Sequence, residues 1–119
     1  MESQHIIDLA AALDRFDGDH DLFLTLAELF VERAPVALSA IDRALADQDM
    51  PMLMKEAHKM KGSALEFCAH QAVAAAAHLE QSARTASALE MVPFCDRVHA
   101  EIQRLTTALK VIIEKGLPS

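Results

Sequence analysis

Apolar residues along the chain recur every three or four positions, the period that predicts amphipathic helices. The first such stretch ends before the turn pair Asp17-Gly18. Asp19 can cap a second helix, which should end where Ala34 meets Pro35. The apolar positions of this second helix are Leu22, Phe23, Leu26, Leu29 and Phe30.

Pro35 suits the first turn of a third helix, because a proline there has no intrahelical hydrogen bond to lose. The buried side of this helix should carry Val36, Leu38, Ile41 and Leu45. The polar run 47–49 breaks the pattern. Asp49 as cap and Pro51 in the first turn then open a fourth helix, which should run through about Phe67.

A fifth, alanine-rich helix is predicted from about Gln71 to Arg84. The start of the last helix stays open between the capping box Ser87-x-x-Glu90 and a position near Pro93. The apolar residues that follow keep helical spacing, and they are Phe94, Val98, Ile102, Leu105, Leu109 and Ile112. The pattern therefore predicts an all-α fold, an antiparallel four-helix bundle with one or two additional helices.

Composition supports this fold class and excludes some classes of partner. A chain of 119 residues fits one domain, so we expect a single domain over residues 1–119. The net charge of −7 disfavours nucleic acid and anionic membranes as partners. No apolar run reaches the ~20 residues of a membrane span, and the N-terminus lacks the order of a secretory signal. We expect a cytoplasmic monomer.

The fourth predicted helix carries the candidate chemistry. At 100° per residue, four apolar residues lie within about 40° of Leu53 and form a buried stripe with it. These are Ala57, Met60, Ala64 and Phe67. His58 falls about 140° from Leu53, on the solvent side. A lone surface histidine usually has no chemical role, so its neighbours decide the interpretation.

The neighbours of His58 favour a reactive role. Glycine inside a helix costs roughly 1 kcal/mol against alanine, and Gly62, one turn beyond His58, is explained if another molecule must reach the imidazole. Lys61 could neutralise an anion on the ring. The remaining candidate docking residues of this stretch are the basic Lys55 and the apolar Met54 and Leu65, which flank the histidine.

The run Ala57-His58-Lys59-Met60-Lys61-Gly62-Ser63-Ala64 resembles the A-H-x-L-K-G-[SA]-[SA] signature of histidine phosphotransfer (HPt) domains. Met60 stands where leucine is usual. The resemblance extends over about residues 10 to 110 and includes Gly18-Asp19, Phe30, Leu38, Ile41, Leu45, Asp49 and Leu79-Glu80. Cys68 departs from the pattern, since the family commonly has glycine there.

The resemblance implies a phosphorelay carrier rather than an enzyme. His58 would accept a phosphoryl group on Nε2 from a receiver-domain aspartate or a histidine kinase, and pass it to the receiver of a response regulator. Lys61 would stabilise the phosphoryl oxygens, Gly62 would give clearance, and Arg84 on the following helix would add a distant positive charge. The implied partners are a receiver domain and a hybrid histidine kinase. Mg²⁺ would come from the receiver, and the chain itself would need no cofactor, metal or ATP site.

Three other interpretations remain open. A metal-binding bundle could use Cys95 and His99, spaced i and i+4, or the group Cys68, His70 and His78. A helical adaptor could carry a degenerate His-Lys-Gly motif and bind partners only through apolar stripes. The chain could also be the phosphorylated domain of a chemotaxis-type kinase.

Overall fold

The computed structural model describes residues 6–117, and every regular element in this range is an α-helix. The helices are α1 (Leu9–Arg15), α2 (His20–Ala46), α3 (Met50–Glu66), α4 (His70–Ser82) and α5 (Ala88–Lys115). Helices α2 to α5 form a ring in which each contacts the next and α5 returns to α2. The short connections make sequential helices antiparallel. The predicted bundle is confirmed, with α1 as the additional helix.

Polar caps begin the long helices where the sequence predicts them. The Asp19 carboxylate accepts a hydrogen bond from the Leu22 amide at 3.0 Å, and Asp49 does the same at the start of α3. At α5, Ser87 and Glu90 form the reciprocal capping box. The open question about the last helix is thereby answered: it begins directly after Ser87, and Pro93 lies inside it.

The helix break predicted at Pro35 is wrong, because α2 is continuous through it. Interior proline costs about 3 kcal/mol. This cost is outweighed by burial of an apolar stripe that keeps helical register on both sides of the proline. The stripe consists of Phe30, Ala34, Leu38 and Ile41. Val36, predicted to be buried, is instead 71% exposed. It lies two residues before Leu38, and such positions on one helix point in nearly opposite directions.

Short α1 closes one end of the bundle. The Phe16 ring packs edge-on against Phe23 at 5.6 Å, and Phe23 packs edge-on against Phe67 at 5.5 Å. The Asp8 amide donates to the Cys68 carbonyl at 3.2 Å. The C-terminal end of α3 is therefore fixed both by aromatic packing and by a backbone hydrogen bond. No helix within the described residues is long and apolar enough to cross a membrane.

Candidate functional site

Helix α3 presents His58 to solvent. The predicted stripe Leu53, Ala57, Met60, Ala64 and Phe67 is buried throughout. This burial fixes the rotation of α3 about its axis, and His58 lies on the far side with 67% of its side chain exposed. The predicted exposure of His58 is confirmed.

Glu80 on α4 contacts the imidazole. Its Oε2 lies 2.9 Å from His58 Nδ1. An ionised carboxylate can only accept a hydrogen bond, so Nδ1 carries the proton and donates it to Glu80. In the neutral ring, Nε2 then holds the lone pair. The contact therefore fixes both the tautomer and the ring orientation, and leaves the Nε2 lone pair free.

The same carboxylate binds Lys61. The Lys61 ammonium donates to Glu80 Oε1 at 2.8 Å, and its side chain is 33% exposed. This hydrogen bond, together with the one from His58, lowers the pKa of the Glu80 carboxyl despite partial burial. Glu80 is thus an anion at neutral pH. His58, Glu80 and Lys61 form one charged cluster that joins α3 to α4.

No role for Glu80 was predicted from the sequence. The signal was the pair Leu79-Glu80, which resembles the family pattern in the helix after the histidine. Leu79 is fully buried, and its burial turns the next residue towards α3. Helical periodicity indicates which side of α4 Glu80 occupies. It does not indicate that this side lies opposite His58, twenty-two residues earlier in the chain.

Gly62 lies one helical turn beyond His58 on an open surface. A Cβ atom built on Gly62 would have no neighbour within 4 Å, apart from its own helix backbone and adjacent residues. Packing within the described chain therefore does not require glycine at this position. The space left by the missing side chain of Gly62 is open to solvent.

The other predicted docking residues fall at two places. Lys55 and Leu65 are exposed on α3, and Met54 is half-buried there. Arg84 is exposed, but the prediction that it lies on the helix after α3 is wrong. Helix α4 ends at Ser82, and Arg84 occupies the turn that follows.

His78 and His99 also form hydrogen bonds through a ring nitrogen, but their bonding differs from that of His58. Arg97 can only donate, so its contact at 2.7 Å makes His78 Nδ1 an acceptor and places the neutral ring's proton on Nε2. His99 Nε2 donates to Asp42 at 2.7 Å. Of these three bonded histidines, His58 alone has a free Nε2 lone pair.

The residues proposed for a metal site do not converge. No group of three or more His, Cys, Asp or Glu side chains between residues 6 and 117 is arranged to hold a metal ion. Cys68 and Cys95 are buried free thiols. Burial, with the nearby carboxylates of Asp42 and Asp96, raises the pKa of the Cys95 thiol to about 11. The Cys95 thiol is therefore neutral and unreactive at physiological pH.

Comparisons with known proteins indicate one family and one fold. A family model described as Hpt domain matches residues 25–108. No curated protein matches the chain in sequence. A crystal structure of the HPT domain from a sensor hybrid histidine kinase of Shewanella, solved to 1.80 Å, is similar in fold with a TM-score of 0.83. The match covers 97% of this chain and 98% of that chain at 16% sequence identity.

Proposed function

The chain belongs to the Hpt domain family, and we propose that it serves in a phosphorelay as a carrier whose phosphoryl group rests on Nε2 of His58. One observation carries this assignment. The Nδ1–H of an exposed imidazole is bonded to Glu80, which leaves the Nε2 lone pair facing solvent on a helix with open space at Gly62.

The proposed transfer is an in-line displacement at phosphorus. The Nε2 lone pair attacks the phosphorus of an aspartyl phosphate on a receiver domain. A nitrogen–phosphorus bond forms, the aspartyl oxygen–phosphorus bond breaks, and that aspartate leaves as a carboxylate. Nε2 carries no proton in this tautomer, so no base has to remove one. The reverse sequence passes the phosphoryl group to the aspartate of a response regulator.

Glu80 and Lys61 have separate proposed roles in this step. The ring gains positive charge when Nε2 bonds to phosphorus, and the Glu80 carboxylate on Nδ1 stabilises that charge. The ammonium of Lys61 is held beside the ring by Glu80, and we assign it to the phosphoryl oxygens. Both groups are positioned before the partner arrives, which lowers the reorganisation needed during transfer.

The partners follow from this chemistry. We propose a receiver domain and a hybrid histidine kinase as partners, and the cytoplasm as the location. The receiver would supply Mg²⁺, and the carrier would have neither a cofactor nor an ATP site of its own. The contact surface would include Met54, Lys55 and Leu65 around His58, with Arg84 at its edge. The net charge of −7 favours protein partners over nucleic acid.

The test is phosphoryl transfer from a purified, phosphorylated receiver domain. The parent protein should acquire acid-labile phosphate, and His58→Gln should acquire none while keeping its helical circular dichroism. His78→Gln is the matched control, because His78 is also exposed and hydrogen-bonded, and it should accept phosphate like the parent. Label on His58→Gln would refute the assignment. Receiver binding without label on any variant would indicate the adaptor interpretation instead.

A further inference from the structure

The hydrogen bond from His58 Nδ1 to Glu80 leaves Nε2 on the other side of the ring. The proton in this bond can therefore stay in place while Nε2 carries a phosphoryl group. Glu80 Oε2 lies 2.9 Å from Nδ1, and Glu80 Oε1 accepts from Lys61 at 2.8 Å. Each carboxylate oxygen thus has its own donor, and rotation of the carboxylate would break both hydrogen bonds.

The Nδ1 proton decides which species leaves when the phosphoryl group is passed on. The nitrogen–phosphorus bond breaks, its electron pair returns to Nε2, and phosphorus bonds to a carboxylate oxygen of the receiver. A ring that is protonated on Nδ1 leaves as neutral imidazole. A ring that has lost this proton must leave as the imidazolate anion, which is a far stronger base and a poor leaving group. Release therefore requires the Nδ1 proton.

We infer that Glu80 is a positioning residue for release, because its carboxylate keeps the proton on Nδ1 of the phosphorylated ring and so allows His58 to donate at neutral and mildly alkaline pH. This inference rests on the proposed function and concerns its second half, the transfer from His58 to a receiver. Acceptance differs from release, because the form that attacks is the neutral ring, which already carries one proton on Nδ1.

Glu80 is the acidic group placed beside the ring. It is the only acidic residue of α4. The other charged groups on this side are cations: Lys55 and Lys61 lie about 60° to either side of His58 on α3, and Arg84 is exposed in the turn after α4. Cations disfavour protonation of the ring, so the Glu80 carboxylate acts against them.

The remaining charges of α2 and α3 at this level line a groove on another side of α3. They are Glu32, Arg33, Glu56, Lys59 and Glu66. The three on α3 lie about 80° to 160° around the helix from His58. Helix α5 packs mainly against α2 and α4. This arrangement leaves Glu80 as the carboxylate that holds the ring proton.

Distance and exposure set the expected size of the effect. An opposite charge within about 4–6 Å favours the charged form of a group by roughly tenfold to a thousandfold. The Glu80 side chain is 17% exposed, but that of His58 is 67% exposed, so solvent screens the pair and the lower end applies. Loss of the Glu80 charge should therefore lower the protonated fraction of the phosphorylated ring about tenfold in alkaline solution.

The test is the rate of release as a function of pH. Carrier labelled by a phosphorylated receiver is purified, mixed with unphosphorylated receiver, and followed by loss of label between about pH 6 and pH 9. Glu80→Gln keeps an oxygen that can accept from Nδ1 but has no charge. The ratio of its rate to that of the parent cancels the pH dependence of the receiver. This ratio should be within a few-fold of one at pH 6 and about tenfold lower at pH 9.

Two further variants separate charge from structure. Glu80→Asp keeps the charge, so its release ratio should stay constant with pH even if the rate is lower throughout. Glu56→Gln is the matched control, because it removes a carboxylate from α3 that is paired with Lys59 at 3.5 Å, away from the ring. Its release should follow the parent at every pH. Circular dichroism should show all variants folded over this range.

The outcomes distinguish this inference from the proposed function. A Glu80→Gln release ratio that does not change with pH would overturn the inference and leave Glu80 as a structural link between α3 and α4. A Glu56→Gln profile that falls in the same way would also overturn it, because loss of either carboxylate would then suffice. A parent that acquires no label on His58 would instead refute the proposed function, and the inference with it.

Discussion

Replacing Gly62 should change stability and transfer in opposite directions. Gly62→Gln puts a good helix former at an exposed interior position of α3, where glycine is among the least favourable residues. Nothing within 4 Å opposes the added Cβ. We expect a gain of about 0.6 kcal/mol, which for a domain of this size raises the melting temperature by about 2–4 °C.

Transfer by the same variant should fall. The glutamine side chain projects from the face of α3 that carries His58, into the space through which the receiver must approach. A misplacement of about 1 Å can slow a reaction on the order of a hundredfold. Gly62→Ala is the matched control, because alanine gives at least the same gain in stability but adds only a methyl group. Its transfer rate should stay within a few-fold of the parent.

The assay is thermal unfolding and single-turnover transfer from one phosphorylated receiver, on the same preparations of parent, Gly62→Ala and Gly62→Gln. Destabilisation of both variants would show that the backbone needs glycine at this position, in conflict with the open space around it. A stabilised Gly62→Gln that transfers at the parent rate would refute the approach of the receiver over this face.

Three further predictions concern the charged cluster and α2. Lys61→Ala should slow transfer by about tenfold and shorten the lifetime of phosphorylated His58, measured by loss of label, because one charged contact is worth about 1.5 kcal/mol in the transition state. An unchanged lifetime would remove Lys61 from the site. Because the pKa of Glu80 is lowered in the fold, its contribution to stability is present above the unfolded pKa of about 4.3 and is lost as pH falls through the folded pKa. Glu80→Gln should thus be less stable than the parent by up to about 1 kcal/mol at pH 7. In urea unfolding, this difference in stability should shrink below about pH 4. A difference that grows in acid would contradict the ion pair. Pro35→Ala should stabilise the protein by about 1–2 kcal/mol in urea unfolding, because alanine restores an amide that donates to the Val31 carbonyl. No gain in stability would mean that the helix bends to avoid the cost of the proline.

Sequence periodicity predicted the site helix well. The stripe around Leu53 is buried residue for residue, and its opposite face presents His58. The prediction succeeds because a helix with one apolar stripe can bury that stripe at only one rotation about its axis. The caps at Asp19 and Asp49 were also predictable, because they depend on residues three apart in the same segment.

The errors have two physical origins. At Pro35, the local rule that proline ends a helix was outweighed by tertiary burial of the stripe on both sides of it, and no local rule measures that balance. At Glu80, the missing information was which helices are neighbours. Periodicity assigns a residue to one face of its own helix, whereas the contact with His58 depends on how α3 and α4 pack.

Phosphorylation of His58 on Nε2 is tested most directly by ¹⁵N NMR of the histidine side chains after phosphorylation by a receiver domain. We predict phosphorus coupling at Nε2 of His58, with Nδ1 protonated and bonded to Glu80. His78 and His99 should keep their unphosphorylated ring signals. Phosphorus coupling at Nδ1 of His58, or at a nitrogen of any other histidine, would contradict the assignment of Nε2 as the phosphoryl acceptor.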